Sequence, residues 1–86
     1  MDKIAIVILN WNGQHFLEQF LPSVQIYSKE ATVYIADNGS TDHSIEFVKN
    51  NYPEIKIVQL PDNYGFCGGY NKALAQIDAE YYVILN

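Results

Sequence analysis

Four short apolar runs, Ile4 to Leu9, Thr32 to Ala36, Ile55 to Leu60 and Tyr81 to Leu85, divide an 86-residue chain into strand-length pieces with long amphipathic stretches between them. Each run is nearly continuous in Ile, Val, Leu, Ala and Tyr, as expected of a parallel strand buried on both faces; a half-buried strand would alternate with polar residues. The stretches between them then read as crossover helices. The pattern predicts β-α-β-α-β-α-β, an α/β chain with an open, doubly wound, Rossmann-like parallel sheet and right-handed crossovers.

In the first crossover Phe16, Leu17, Phe20, Leu21 and Val24 form an apolar stripe at helical spacing, and Pro22 in its middle predicts a kink or a break. The second is expected to open at Ser40 as N-cap, to carry Ile45, Val48 and Tyr52 on one face, and to stop before Pro53. The third is expected over Tyr70 to Ile77, after a glycine-rich loop. The fourth run reaches Leu85 and Asn86 with no turn or capping helix behind it, so residues 1–86 are expected to form a single truncated subdomain.

Composition narrows the partners. At 49% hydrophobic and 14% aromatic the chain is too apolar to stay disordered, although one this short buries only about 60% of its unfolded surface. The basic residues are five lysines against ten Asp and Glu, and the net charge of -5 disfavours nucleic acid or an anionic membrane as partner. Cys67 is the sole cysteine, so no internal disulfide or structural zinc site is expected. The first apolar run follows an acidic Asp2, unlike a signal peptide, and no segment approaches the roughly 20 apolar residues that span a bilayer. The expected location is the cytoplasm, with any membrane association supplied by parts of the protein outside these residues.

In a sheet of this kind, ligands sit outside the carboxyl ends of the strands, where the winding direction switches. Every expected strand exit opens onto short polar residues or glycines: Asn10, Trp11, Asn12 and Gly13; Asp37, Asn38, Gly39 and Ser40; residues 62–69; and Asn86. Such residues are also the ordinary chemistry of turns and caps, but four exits on one edge favour a site. Asp37 or Asn38 could accept a hydrogen bond from a pyrimidine imide or a ribose hydroxyl, or could simply form an Asx-turn into the second helix. Asp42 reads as a first-turn residue favoured by the helix dipole. Trp11 could stack on a base or cover the sheet end. The stretch Asn63 to Asn71 opens a helix, and its glycines would let backbone amides approach a diphosphate. It matches neither the Walker A pattern nor the dinucleotide fingerprint, and with no arginine in the chain the missing positive charge would have to come from a divalent metal. His15, His43 and Cys67 read as surface or loop residues without catalytic partners.

Three segments together carry a family resemblance. Ile6-Val7-Ile8-Leu9-Asn10-Trp11-Asn12-Gly13, Ala36-Asp37-Asn38-Gly39-Ser40-Thr41-Asp42 and Asn63-Tyr64-Gly65-Phe66-x-x-Gly69-x-Asn71-x-Ala73 resemble, in order and spacing, successive motifs of family 2 glycosyltransferases with the GT-A fold, in the rhamnosyltransferase-like branch. The resemblance implies the nucleotide-binding half of that fold. It places Asn10, Trp11, Asn12, Asp37 and Asn38 at the nucleobase and ribose of a UDP- or dTDP-type sugar donor, with Gly65, Phe66, Gly69 and Asn71 beside it. Asn86 looks like the first position of the family's Asp-x-Asp-type motif for Mg²⁺ or Mn²⁺. The catalytic base and the binding site for a glycan or lipid-linked acceptor would lie past Asn86, so residues 1–86 alone are expected to be inactive and to contain no catalytic residue. Leu9-Asn10 stands where many relatives carry Pro-Thr, a difference at the base contacts.

Other classes fit less well. A sugar-nucleotide nucleotidyltransferase usually carries a glycine-rich basic signature after the first strand, yet Asn10 to Gln14 holds no Lys or Arg. A phospho-acceptor signalling domain needs an acidic pair there, and Asn10 and Asn12 are neutral. A purely structural interaction module predicts that Asp37 is dispensable for donor binding. The apolar fourth run, if poorly covered, is expected to drive self-association.

Overall fold

The computed structural model describes residues 2–27 and 29–85. Its elements alternate throughout: β1 (Asp2–Asn10), α1 (Gln14–Tyr27), β2 (Thr32–Asn38), α2 (Ser44–Asn51), β3 (Lys56–Leu60), α3 (Gly65–Leu74) and β4 (Ala79–Leu85). The strands form one parallel sheet in the order β3-β2-β1-β4. The Rossmann-like α/β architecture expected from the apolar runs is present.

The chain steps from β1 to β2 to β3 in one direction, then returns past β1 to β4. With crossovers of one hand, reversing the direction of travel moves the helix to the opposite face of the sheet. The core divides accordingly. On one face Leu17, Leu21 and Val24 of α1 and Val48 of α2 pack on Ile8, Val33 and Ile35. On the other, Tyr70 and Ala73 of α3 pack with Ile77 on Ala5, Val7, Tyr34 and Ala36. The winding therefore reverses between β1 and β4.

Four expectations need correction. The helix α1 runs unbroken through Pro22: Leu17 and Leu21 are fully buried and hold both halves on the sheet, while Pro22 faces solvent, where water can bond the carbonyl it leaves unpaired. The helix α2 begins at Ser44, after Ser40 and Asp42, because the Ser40 hydroxyl is engaged with β1 and β2 and does not cap a helix. The helix α3 begins at Gly65, so the glycine-rich stretch is the helix's own first turns and not a loop before it. Finally, β4 is not buried on both faces: α3 covers β1, β2 and β3, and Tyr81, Tyr82, Val83 and Ile84 remain exposed.

Candidate functional site at the carboxyl rim

The carboxyl ends of β1 and β2 are in register, with Asn10 opposite Asp37, and both side chains are almost fully buried. The Asn10 Nδ2 group donates to Asp37 Oδ1 at 3.0 Å, to Ser44 Oγ at 2.9 Å and to Ser40 Oγ at 3.2 Å. Ser40 in turn donates its hydroxyl to Asp37 Oδ1 at 2.6 Å and its backbone N–H to Asp37 Oδ2 at 3.1 Å. A charged acceptor makes these bonds stronger than neutral ones. Asp37 thus folds the β2 exit back over its own side chain, using a partner three residues on.

Asn12 extends this network to the surface. It adopts a left-handed backbone with φ 49°, which an Asn tolerates better than most residues. Its N–H donates to Ser40 Oγ at 2.9 Å, and its Oδ1 accepts from Thr41 N–H at 2.7 Å and Asp42 N–H at 3.2 Å. Asp42 sits between two helix starts: it accepts from Gln14 N–H at 3.2 Å, and from Ser44 N–H at 3.1 Å and Ser44 Oγ at 2.5 Å. Burial pushes its carboxyl up, but the bonds from Ser44 and Gln14 outweigh that and hold it below the ordinary value of 3.8.

Asn38 serves the other face of the sheet. Its Nδ2 donates to Asn63 Oδ1 and to the Gly65 carbonyl, both at 3.0 Å, and its Oδ1 accepts from Tyr64 N–H at 3.0 Å. Asn63 Oδ1 also accepts from Gly65 N–H at 2.8 Å. The start of α3 is thereby fastened to the end of β2. Gly65 takes φ 75°, where an L side chain is strained, and a Cβ at Gly69 would stand 2.9 Å from both Asn38 Nδ2 and Leu9 Cδ1. Gly69 thus lets α3 approach the sheet closely, and Gly65 supplies the left-handed backbone at its start.

The structure brings Asn10, Asn12, Asp37, Asn38, Gly65 and Gly69 together along one rim. Trp11 is 55% exposed there, and Phe66 is exposed on the first turn of α3. Asn71 is exposed further along α3 and takes no part in the hydrogen bonds joining the rim. Asn86, expected as a metal ligand, lies outside the described residues. Ser40 stood at the expected strand exit but only as a helix cap, and Ser44 and Tyr70 were given no role there; the three join the rim to the core, and the Asp-x-x-Ser spacing of Asp37 and Ser40 was the available signal.

A divalent metal does not fit the described residues. Among them no group of three His, Cys, Asp or Glu side chains could hold one, and both oxygens of Asp37 and of Asp42 already accept hydrogen bonds from protein donors.

A parallel sheet reversing its winding beside a rim of buried Asn and Asp side chains defines an open α/β domain, a class whose ligands bind outside the carboxyl ends of the strands. The chain belongs to the family described as Glycosyl transferase family 2, whose profile matches residues 5–86. It is 29% identical over 77 residues to the Mycobacterium tuberculosis N-acetylglucosaminyl-diphospho-decaprenol L-rhamnosyltransferase, covering 88% of this chain and 25% of that protein. It is 26% identical over 91 residues to the teichoic acid poly(glycerol phosphate) polymerase of Staphylococcus epidermidis, covering 13% of it. The chain therefore spans a quarter or less of the length of these relatives. Among solved structures, that of S. aureus TarS 1–349 in complex with UDP-GlcNAc superposes with a TM-score of 0.81 at 24% identity, over 96% of this chain and 26% of that one. The mannosyltransferase PcManGT from Pyrobaculum calidifontis, in complex with GDP-Man and Mn²⁺, gives 0.71 at 16% identity, over 88% and 24%. These two likenesses concern the fold. Family membership sets aside the nucleotidyltransferase and signalling alternatives.

Proposed function

We propose that this chain forms the donor-nucleotide half of a glycosyltransferase that moves a sugar from a nucleoside diphosphate to a hydroxyl acceptor in surface polysaccharide synthesis. The observation that carries the reading is the convergence of the Asn10–Asp37 network, the Asn38 clamp and the glycine-rich start of α3 beside the point where the winding reverses. Trp11 offers an exposed ring for a base, next to a carboxylate held rigid by Asn10 and Ser40. The amides of Phe66 and Cys67 lie in the first turn of α3, where N–H groups have no intrahelical acceptor and the helix dipole favours an anion. In a chain of net charge -5 without arginine, that turn is a source of positive potential for a diphosphate.

The donor is a UDP or dTDP sugar; the UDP form is supported by the UDP-GlcNAc bound to the TarS neighbour, and sugar transfer itself by the rhamnosyltransferase relative. A lipid-linked acceptor is supported by the same relative, whose name contains a diphospho-decaprenol. The reading places the protein in the cytoplasm. Mg²⁺ or Mn²⁺ belongs to it by family and by the Mn²⁺ of one structural neighbour; since the described residues do not form its site, no step is assigned to it. Calorimetric titration of UDP and dTDP into the full-length protein, with and without Mn²⁺, tests the proposal. Saturable heat with one of them is expected, and silence with every nucleoside diphosphate would overturn it.

A further inference from the structure

The paired positions of β1 and β4 end at Ile8 opposite Leu85. There the phenol of Tyr70 arrives from α3. It accepts a hydrogen bond from Leu9 N–H at 3.2 Å and donates one to the Leu85 carbonyl at 2.7 Å. The side chain is 4% exposed, and its ring meets that of Phe66 edge-on at 5.1 Å between centroids. Burial pushes the phenol up from its ordinary value of 10.0, against the lowering effect of Leu9 N–H, so it remains a donor through neutral pH. One hydroxyl therefore touches the carboxyl ends of both strands between which the winding reverses.

The first turns of α3 need such a tether. Gly65, Gly68 and Gly69 have no side chains with which to grip their surroundings. On the β2 side the turn is held by Asn38; towards β1 and β4 Tyr70 makes the corresponding connection. Leu9 directly precedes Asn10, and Phe66 lies one turn before Tyr70, so both neighbours of the phenol belong to the rim. Cohesion of the sheet does not require the hydroxyl, since β1 and β4 are already paired from Asp2 to Ile8.

We propose that Tyr70 is a positioning residue for the donor site, its hydroxyl fixing the ends of β1 and β4 relative to the glycine-rich turn so that Asn10, Phe66 and the chain leaving β4 keep one geometry around the diphosphate. This rests on the donor-binding role proposed above.

The test compares Tyr70→Phe with Tyr82→Phe in the full-length protein. Tyr82 donates to the Ile77 carbonyl at 2.7 Å, a bond of the same kind and length at the opposite end of β4. Y70F is expected to raise the Kd for UDP or dTDP about tenfold, the equivalent of one lost buried hydrogen bond, and Y82F to leave it unchanged. Amide exchange at Leu9 and Asn10 is expected to quicken in Y70F alone, with Val7 and Ile35 still protected. Donor KM should rise while acceptor KM stays constant. Equal effects of the two variants, unaltered binding in Y70F, or loss of protection throughout the sheet would each overturn the positioning role. Absence of nucleotide binding by the unmutated protein would remove the donor role itself, and this proposal with it.

Discussion

Asn10 and Asp37 end adjacent parallel strands in register, and a 3.0 Å bond joins their buried side chains. Neither residue alone can fill its site, because Asp37 must accept from Asn10 and twice from Ser40, while Asn10 must donate. Asp37→Asn replaces one acceptor oxygen by a donor and turns it towards either Asn10 Nδ2 or Ser40 N–H. We expect a loss of about 1–3 kcal/mol in stability, the usual cost of leaving a buried polar group unsatisfied. In the full-length protein nucleotide affinity should fall at least about tenfold. Denaturant titration and calorimetry on the same preparation read the two effects; D37N with native stability and native affinity would refute both.

The glycines of the rim should rank by what a methyl group would meet. At Gly39 it would stand 2.7 Å from the Asp62 carbonyl carbon, which is backbone, and φ is 78°. At Gly65 φ is 75° but no atom lies within 4 Å. Strain alone costs about 1–2 kcal/mol there. At Gly69 the backbone is helical, and Ala would gain about 1 kcal/mol in propensity, but Asn38 Nδ2 at 2.9 Å is held by two hydrogen bonds and cannot yield freely. Overpacking at about 1–3 kcal/mol should exceed that gain. Thermal melts should therefore place Gly39→Ala lowest, and a stabilising Gly69→Ala would contradict the close approach of α3 to Asn38.

Much of this arrangement was legible in the residues themselves. Each apolar run marks a strand to within about two residues at either end, and the polar residues just beyond Leu9 and Ala36 are the rim. What local sequence could not reveal is the partnering. Ser40 has the composition of an N-cap, yet tertiary contact assigns its hydroxyl to Asp37 and Asn12, and α2 starts later. Gly65, Gly68 and Gly69 are poor helix formers, but α3 contains them because side chains there would collide with Tyr64, Asn38 and Leu9 or strain the backbone. Tyr70 reads only as the start of the expected third helix, at an unassigned position of the glycine-rich segment. Only the packing of α3 across the sheet brings its hydroxyl to Leu9 and Leu85. The exposure of β4 could be read only as a condition, since an apolar run says how much surface could be buried but not whether a helix covers it.

Acid should weaken the rim through Asp42. Its folded pKa lies below the unfolded 3.8, so between those two values the unfolded chain binds more protons than the folded one. Its contribution is therefore complete above about pH 4 and is lost as the pH falls through the folded value. Asp42→Asn should flatten that part of the stability-versus-pH curve and leave the neutral end lower, because Asn can accept from Ser44 or Gln14 with one oxygen only. Urea melts from neutral pH down to the acid limit would show it, and parallel curves for the two proteins would rule out Asp42 as the responsive group.

The outer strand makes the last prediction. Tyr81 and Val83 face the side of the sheet that carries α1, Tyr82 and Ile84 the side that carries α3, yet all four are exposed, and among the described residues no strand lies beside the far edge of β4. An apolar edge with open ladder groups is a template for a second strand. Burying several such side chains at about 1.5–3 kcal/mol each offsets the loss of freedom on association. The net charge of -5 opposes it, but added salt screens that repulsion without touching the apolar term. The 86-residue chain should thus self-associate, more strongly as salt rises. Val83→Lys places a charge on the exposed strand and should restore the monomer with little cost to folding. Sedimentation velocity over a concentration series decides it: a monomer at every concentration and salt level would mean that β4, though apolar and uncovered, does not act as an adhesive edge.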